Sequence, residues 1–247
     1  MKAKNKAKWI VKFPIGSEVL VKEGDRVVEN QVLVKVDNIK TESINLSNFI
    51  GKFNRNKIDQ LNTKLKGGWV NSGELMCLTG GIFPKKICFP MSGNFVEIDE
   101  FGYLKIEVKE GAKKEIVAPV NSMVIKTDAD NLVLGFKAKE LKGKGLVIGK
   151  SWGRSKLEII NETKDLNFEL KNNILLTQNL SNNFLLKAEV VGVVGIVTDI
   201  EVKEELVTSL PVLKLDQESW QELMKYKGLD KKMLINSRLE RLLLVLE

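Results

Sequence analysis

The sequence predicts a mostly β protein that ends in a small α/β domain, and three of its features lead to this fold class. A glycine–valine turn motif occurs twice in the first eighty residues. Short runs rich in Val, Ile and Leu, separated by turn residues, continue to about residue 165. After residue 166, apolar runs alternate with segments of helical periodicity, which is typical of an α/β layer.

The repeated motif reads EGDRVVENQVL at residues 23–33 and KGGWVNSGELM at residues 66–76. In each copy a turn glycine is followed three residues later by a valine, and three residues after that comes a position that tolerates positive φ. The four backbone positions concerned are Gly24 and Asn30 in the first copy and Gly67 and Gly73 in the second. An apolar strand follows each copy, so the motif predicts two equivalent β corners.

A second repeat relates residues 89–99 to residues 118–128. Each segment has a proline, which cannot donate to a sheet, then a polar turn and an alternating strand. Between the two copies of the glycine–valine motif, Ile58, Leu61 and Leu65 recur at helical spacing. They predict one short helix over 57–65.

The C-terminal part predicts strands at 174–177, 195–198 and 211–215, with further strand at 234–235 and 239–246. Ser181 is a candidate N-cap for a helix over 182–191. Asp216 is placed to cap a helix that carries Trp220 and Leu223 on one face and ends near Gly228.

Composition excludes several kinds of chemistry. The chain has no histidine, so we expect no imidazole base and no histidine-bearing metal site, and we expect no cofactor and no metal. Its two cysteines, Cys77 and Cys88, flank a turn-rich segment at 79–84; we expect two small buried side chains, although pairing across a hairpin stays open. No apolar run is long enough for a membrane span or a secretory signal, so we expect a cytoplasmic protein.

The net charge of +7 comes from the front of the chain. Lysines crowd the N-terminal tail, and a second basic segment spans 137–156. Its cations are Lys137, Lys139, Lys142, Lys144, Lys150, Arg154 and Lys156. The segment is typical either of a solvated, lysine-rich edge strand, which we favour, or of a surface that binds nucleic acid or another anion. Its glycine and Gly-Lys-Ser spacing misses a phosphate loop by one residue, and a strand follows where that loop requires a helix.

The segment VLVKEGDRVVENQVLVKV (19–36), with FPMSGNFVEI (89–98), resembles the barrel-sandwich hybrid fold of biotinyl and lipoyl carrier domains. The resemblance implies a front domain over 9–110 that contains both glycine–valine corners and the helical insertion, preceded by a basic tail at 1–8. Further β-barrel-like strands over 111–165 are expected to form a small barrel or extension. Residues 172–200 and 210–224 resemble protease-associated and other swivelling β/α domains, which implies an α/β layer domain over 166–247.

The carrier resemblance also names one residue. Lipoyl domains carry their modified lysine in a turn after the strand that follows the corner, and Lys40 has that register here. The residues on either side of it, Ile39 and Thr41, depart from the Asp-Lys-Ala pattern. Because the chain has no histidine and no intact catalytic motif, and resembles two kinds of binding module, the sequence favours a non-catalytic scaffold or adaptor with a protein partner. Nucleic-acid or anion binding through 137–156 and a lipoyl-type carrier modified at Lys40 are the alternatives.

Overall fold

The computed structural model describes residues 6–46, 55–78, 86–202 and 205–246. In this part the chain is mostly β, with three helices, and it divides into two compact units. Unit 1 comprises Met1–Leu33 and Val117–Glu247, and unit 2 comprises Val34–Ile116. The predicted fold class, mostly β with a C-terminal α/β layer, is confirmed.

The elements in chain order are β1 (Lys6–Lys12), β2 (Glu18–Val19), β3 (Arg26–Val27), β4 (Val32–Val36), β5 (Ile39–Asn45), α1 (Arg55–Leu65), β6 (Trp69–Val70), β7 (Leu75–Leu78), β8 (Lys86–Cys88), β9 (Gly93–Ile98), β10 (Tyr103–Lys109), β11 (Lys114–Val117), β12 (Ser122–Thr127), β13 (Asn131–Val147), β14 (Lys150–Ser155), β15 (Ile174–Leu176), α2 (Asn182–Val191), β16 (Gly195–Thr198), β17 (Val212–Leu215), α3 (Gln217–Met224), β18 (Lys231–Asn236) and β19 (Arg241–Val245). Short 3₁₀ turns span Thr163–Asp165, Phe168–Leu170 and Ser237–Leu239. Every described helix is too short or too polar to span a bilayer.

Unit 1 is built on a mixed sheet that nearly closes into a barrel. The strand order is β14-β18-β19-β13-β17-β16-β15, with β1 and β12 also paired to β13, and β3 paired to β12. β16 runs parallel to β15 and β17, as expected for an α/β layer. Apolar side chains of β15–β19 fill two cores, one of them packed against Trp220 of α3 and the other against Phe184 of α2.

Local signals place the C-terminal helices as the sequence predicts. α2 spans the predicted residues with Ser181 at its N-cap, and Gly192 ends it with φ of 89°. Asp216 caps α3 because its side chain accepts the backbone N–H of Ser219 at 2.7 Å. Gly228, with φ of 80°, closes the turn after α3.

The first described strand begins before the predicted start near Trp9. β1 alternates strictly, with Ala7, Trp9 and Val11 buried and its lysines exposed. Lys6 and Lys8 are therefore the outward positions of a paired strand, which lies in register with Lys137 to Asn131 of β13. The other lysines of the expected tail, Lys2 and Lys4, lie outside the described residues.

The basic segment is only partly an edge strand. Lys150 and Arg154 lie on β14, at one end of the strand order, as the favoured interpretation expected, but the first part of the segment does not fit that interpretation. Its lysines up to Lys144 lie on the 17-residue strand β13. Along its length β13 pairs first with β1 and β12, then with β19 and finally with β17. The sequence missed this pairing because alternating lysines look the same on an edge strand and on a paired strand with one face in water.

The two glycine–valine corners make the same hydrogen bonds. Each corner glycine donates its N–H to a strand carbonyl, and the residue six positions later donates its N–H to the carbonyl of the residue just before a proline. The donor–acceptor pairs are Gly24–Val124 and Asn30–Ala118 in the first copy, and Gly67–Phe95 and Gly73–Phe89 in the second. A side chain also caps each corner, because Asn121 Oδ1 accepts the N–H of Glu29 and Ser92 Oγ accepts that of Ser72. All four predicted positions have positive φ.

The corners nevertheless fall in separate units, although the sequence predicts both in one front sandwich. Each corner pairs with its own proline-led segment: the first with residues 118–124 and the second with residues 89–95. The sequence repeats therefore belong together as two corner–strand pairs. The sequence cannot show which of the two proline-led segments pairs with a given corner, because both segments have a polar turn followed by an alternating strand.

Unit 2 contains the four-stranded sheet β5-β10-β9-β6 and the hairpin β7-β8. Ile58 of α1 packs in its core with Phe89 and Phe95, whose rings meet edge to face. Neither cysteine forms a disulfide; Cys77 is half-buried and Cys88 is exposed. The expectation that Cys88 is buried is therefore wrong, because its strand points it outward. The expected turn at 79–84 lies outside the described residues.

Candidate functional site

A basic cleft in unit 1 is the candidate functional site, and we call it the lysine cleft. It has a volume of about 600 Å³, within the range of small-molecule sites. Its walls come from β14, β18, the turn after β3 and the segments before β15 and β16. The lining residues are Glu29, Asn30, Lys150, Ser151, Trp152, Gly153, Arg154, Lys171, Asn172, Asn173, Val194 and Lys232.

Strand pairing positions the cations of this cleft. β14 and β18 are antiparallel, and Arg154 lies directly opposite Lys232. Because side chains alternate along a strand, Lys150, Trp152 and Arg154 share one face of β14. Like charges directly opposite each other are unfavourable in a sheet, so this arrangement needs compensating negative charge.

Glycine brings the opposite wall close. A Cβ added at Gly153 would lie 2.4 Å from the carbonyl oxygen of Asn172 and 3.0 Å from Val194 Cγ2. The segment at Asn172 is itself fixed, because its N–H donates to the Gly192 carbonyl at 2.8 Å. Gly153 therefore allows β14 to approach this segment, and the cleft forms along the contact.

Lys232 is the most unusual residue of the cleft, because it is a lysine with only 5% of its surface exposed. Its ammonium is ion-paired with Glu29 and lies 5.2 Å from the centroid of the Trp152 ring. The Nζ atom makes no hydrogen bond to a described residue. Coulomb attraction to Glu29 and to the face of the Trp152 ring stabilises this buried charge.

A second buried polar atom belongs to Ser151 of β14. The hydroxyl of Ser151 is inaccessible to solvent and has no hydrogen-bond partner among the described residues. It lies so near Gly195 that a Cβ there would approach it to 2.6 Å. An unpaired buried hydroxyl costs free energy, but Ser151 lies on the face of β14 opposite to Lys150, Trp152 and Arg154, so its hydroxyl does not point toward these cations.

The charge of the lining is strongly positive. It holds Lys150, Arg154, Lys171 and Lys232 against the single carboxylate of Glu29. Arg154 also pairs with Asp230 at 2.9 Å, at an exposed position where such pairs contribute little. Partial burial of Lys150, together with repulsion from Lys12, Arg241 and Arg238, holds its pKa below the usual value. The charged groups that act on Lys150 are therefore mainly other cations.

The structure brings two of the predicted basic residues, Lys150 and Arg154, into this cleft. Lys156 lines a separate recess of about 200 Å³ that also contains Glu158, Asp165 and Glu169. Lys137, Lys139, Lys142 and Lys144 lie on β13, where Lys139 is ion-paired with Glu222 of α3. Sequence reasoning missed Glu29, Ser151, Lys171 and Lys232. None of these four residues belongs to an intact binding or catalytic motif. The only sequence signal that Lys232 is buried is the run of apolar residues that follows it.

Lys40, the candidate carrier lysine, lies at the start of β5 in unit 2. Its ammonium pairs with Glu42 at 2.8 Å and lies 3.9 Å from Glu110. The hydrogen bond with Glu42 and the attraction of Glu110 raise its pKa. Among the described residues, no three His, Cys, Asp or Glu side chains lie close enough together to hold a metal ion.

Comparisons with known proteins add little. No family model matches the chain, and no curated protein matches it. Among solved structures, the chain is similar to the solution NMR structure of a UPF0107 protein, with 12% identity and a TM-score of 0.34. The match covers 44% of this chain and 100% of that one. Similarity at this level assigns neither a fold nor a function.

Proposed function

We propose that this protein binds a small anionic ligand, one that carries a phosphate or carboxylate group, in the lysine cleft of unit 1. The observation that carries the proposal is Lys232, a buried cation at the wall of an open cleft. Buried charges need partners. Glu29 pairs with Lys232 and Asp230 pairs with Arg154, but the other two cations of the lining, Lys150 and Lys171, form no ion pair with a carboxylate of the described residues. An anion in the cleft supplies the missing negative charge.

The polar groups of the cleft also suit an oxyanion. Arg154 presents a planar fork of donors that matches carboxylate and phosphate oxygens. Asn172 and Asn173 also line the cleft, and their side-chain amides are of a type that can donate hydrogen bonds to an oxyanion. The volume suits a metabolite-sized molecule and is too small for a folded partner.

Of the alternatives that the sequence left open, this proposal takes anion binding and assigns it to the lysine cleft. We also propose that the protein is cytoplasmic. The scaffold or adaptor role stays a second candidate. The observation that favours it is the exposure of Trp69 on β6 and Leu75 on β7 in unit 2, because exposed apolar side chains on neighbouring elements suit a protein partner. The resemblances to barrel-sandwich hybrid and swivelling β/α domains stay predictions.

Two further hypotheses stay predictions with direct tests. For a lipoyl-type carrier, the intact mass of the protein from its native source must show a modification at Lys40. Nucleic-acid binding through the basic segment must weaken steeply with salt, because phosphate contacts release counterions.

Isothermal titration calorimetry with inorganic phosphate and pyrophosphate tests the proposed site. Arg154→Gln and Lys171→Gln each remove one cleft cation, and Lys137→Gln removes one from the same chain outside the cleft. At equal ionic strength we expect each cleft variant to weaken binding about tenfold, as for a hydrogen bond to a charged group, and the control to have little effect. Equal losses in all three variants would show a general effect of net charge, and the proposed site would then be wrong.

A further inference from the structure

A second recess of unit 1 lies on the other side of Lys150, and we call it the apolar recess. It has a volume of about 550 Å³. Three large apolar side chains line it, and all three are partly open to solvent: Ile10, Ile148 and Leu239. Three cations complete the lining: Lys12, Lys150 and Arg238.

The recess has a rigid floor, because Ser237 ties its two turns together. This serine is fully buried, and its hydroxyl accepts the N–H of Gly149 at 2.7 Å and donates to the carbonyl of Val147 at 2.8 Å. The turn that carries Ile148 is thus held against the turn that carries Arg238 and Leu239. The third wall is the outward face of β1, with Ile10 and Lys12.

The cations of the recess lack acidic partners. Lys12, Lys150 and Arg238 form no ion pair with a carboxylate of the described residues, whereas the neighbouring Arg241 pairs with Glu140 at 3.2 Å. The ammonium of Lys150 lies 5.6 Å from the centroid of the Trp9 ring, a contact that orients it without neutralising it. Burial, and after it repulsion from Lys12, Arg241 and Arg238, lowers the pKa of Lys150.

Apolar walls and unpaired cations together define a ligand chemistry. Ile148 and Leu239 are each more than half exposed, so a ligand with an apolar chain gains free energy by covering them. A neutral hydrocarbon leaves the cations unpaired, and a free inorganic anion leaves the apolar walls in water. We propose that the apolar recess binds an amphipathic anion, a carboxylate or phosphate carried on an apolar chain. This site is distinct from the lysine cleft, although Lys150 borders both.

Calorimetric titration with octanoate and octyl phosphate, below their micelle concentrations, tests the proposal. Two matched probes are included: octanol has the apolar chain but no charge, and acetate has the charge but no chain. We expect both amphiphiles to bind, and the preference between them identifies the head group. Across hexanoate, octanoate and decanoate, affinity is expected to rise about two- to fourfold per added methylene, as for partial to full burial of each group.

Variants then separate this recess from the cleft. Arg238→Gln is expected to weaken octanoate binding about tenfold, and Leu239→Asp is expected to abolish it. Lys227→Gln and Leu229→Asp, which change an exposed lysine and an exposed leucine elsewhere, are the controls and are expected to have no effect. Arg154→Gln, a cleft variant, is likewise expected to leave octanoate binding unchanged. Circular dichroism verifies that each variant is folded.

The inference is overturned if affinity for the fatty acids does not change with chain length, or if recess variants and controls lose the same octanoate affinity. It is also overturned if the protein binds phosphatidylglycerol vesicles but not the monomeric amphiphiles. The last result would indicate a membrane-facing surface instead of a ligand site. If the parent protein binds phosphate but none of the amphiphiles, this inference is wrong and the proposed lysine cleft is unaffected. If it binds the amphiphiles but not phosphate, the lysine cleft is wrong and this inference is unaffected.

Discussion

Replacing Glu29 by glutamine is expected to lower stability and raise anion affinity at the same time. Lys232 is 5% exposed, and the Glu29 side chain that pairs with it is 33% exposed. Removing one partner of a fully buried pair costs about 3–5 kcal/mol, and the access of water to Glu29 reduces this to an expected loss of about 2–3 kcal/mol. The corner is retained, since the capping bond uses the backbone N–H of Glu29.

The measurement is thermal unfolding in chloride and in phosphate at equal ionic strength. A loss of about 2–3 kcal/mol corresponds to a fall in the melting temperature of roughly 4–12 °C for a domain of this size. In Glu29→Gln the cleft has no carboxylate that competes with a bound anion. If its affinity for phosphate rises tenfold, saturating phosphate recovers about 1.4 kcal/mol more than in the parent protein.

The control is Glu162→Gln, which removes the carboxylate of an exposed pair with Lys164. Such surface pairs contribute about 0–1 kcal/mol, so neither stability nor the phosphate response is expected to change appreciably. The reasoning fails if Glu29→Gln melts like the control. It also fails if phosphate stabilises the variant no more than the parent protein.

Substitutions at three other positions test further features of the structure. Gly153→Ala places a Cβ 2.4 Å from the Asn172 carbonyl oxygen, so we expect a loss of about 1–3 kcal/mol in urea unfolding together with weaker phosphate binding. Gly73 has φ of 81° with open space around it, and Asn30 occupies the equivalent position; Gly73→Asn should therefore cost clearly less than Gly73→Val, and equal midpoints in urea would contradict the equivalence. Hydrogen bonds from Thr208 and Ser209 lower the pKa of Glu189 below 4.5. The stabilisation from this carboxylate is present above that pH and is lost as the pH falls through the lowered value, so the stability gap between the parent protein and Glu189→Gln should narrow on acidification below pH 4.5.

Features that depend on neighbours along the chain were predictable from the sequence. Ser181, Asp216 and Gly228 mark the limits of two helical segments. Ser181 stands at the N-cap position without a side-chain cap hydrogen bond, whereas Asp216 caps its helix and Gly228 has the positive φ of a left-handed turn, features that depend on the residue and its next few neighbours. Asn30 was identified as a positive-φ position through its equivalence to Gly73. The basic segment was a correct signal of positive charge and a poor guide to position, since only Lys150 and Arg154 of its seven cations line the lysine cleft.

The sequence by itself determined the β-rich class, the repeated corners and the order of strands and helices in the C-terminal part, because periodicity and turn chemistry are local. The tertiary structure alone decided which proline-led segment each corner pairs with, and it alone placed Lys232 beside Glu29 and Trp152. These pairings join residues far apart in the chain through the register of β12 with β3 and of β14 with β18. Register depends on the complementarity of two whole strand faces, and no short stretch of residues contains that information.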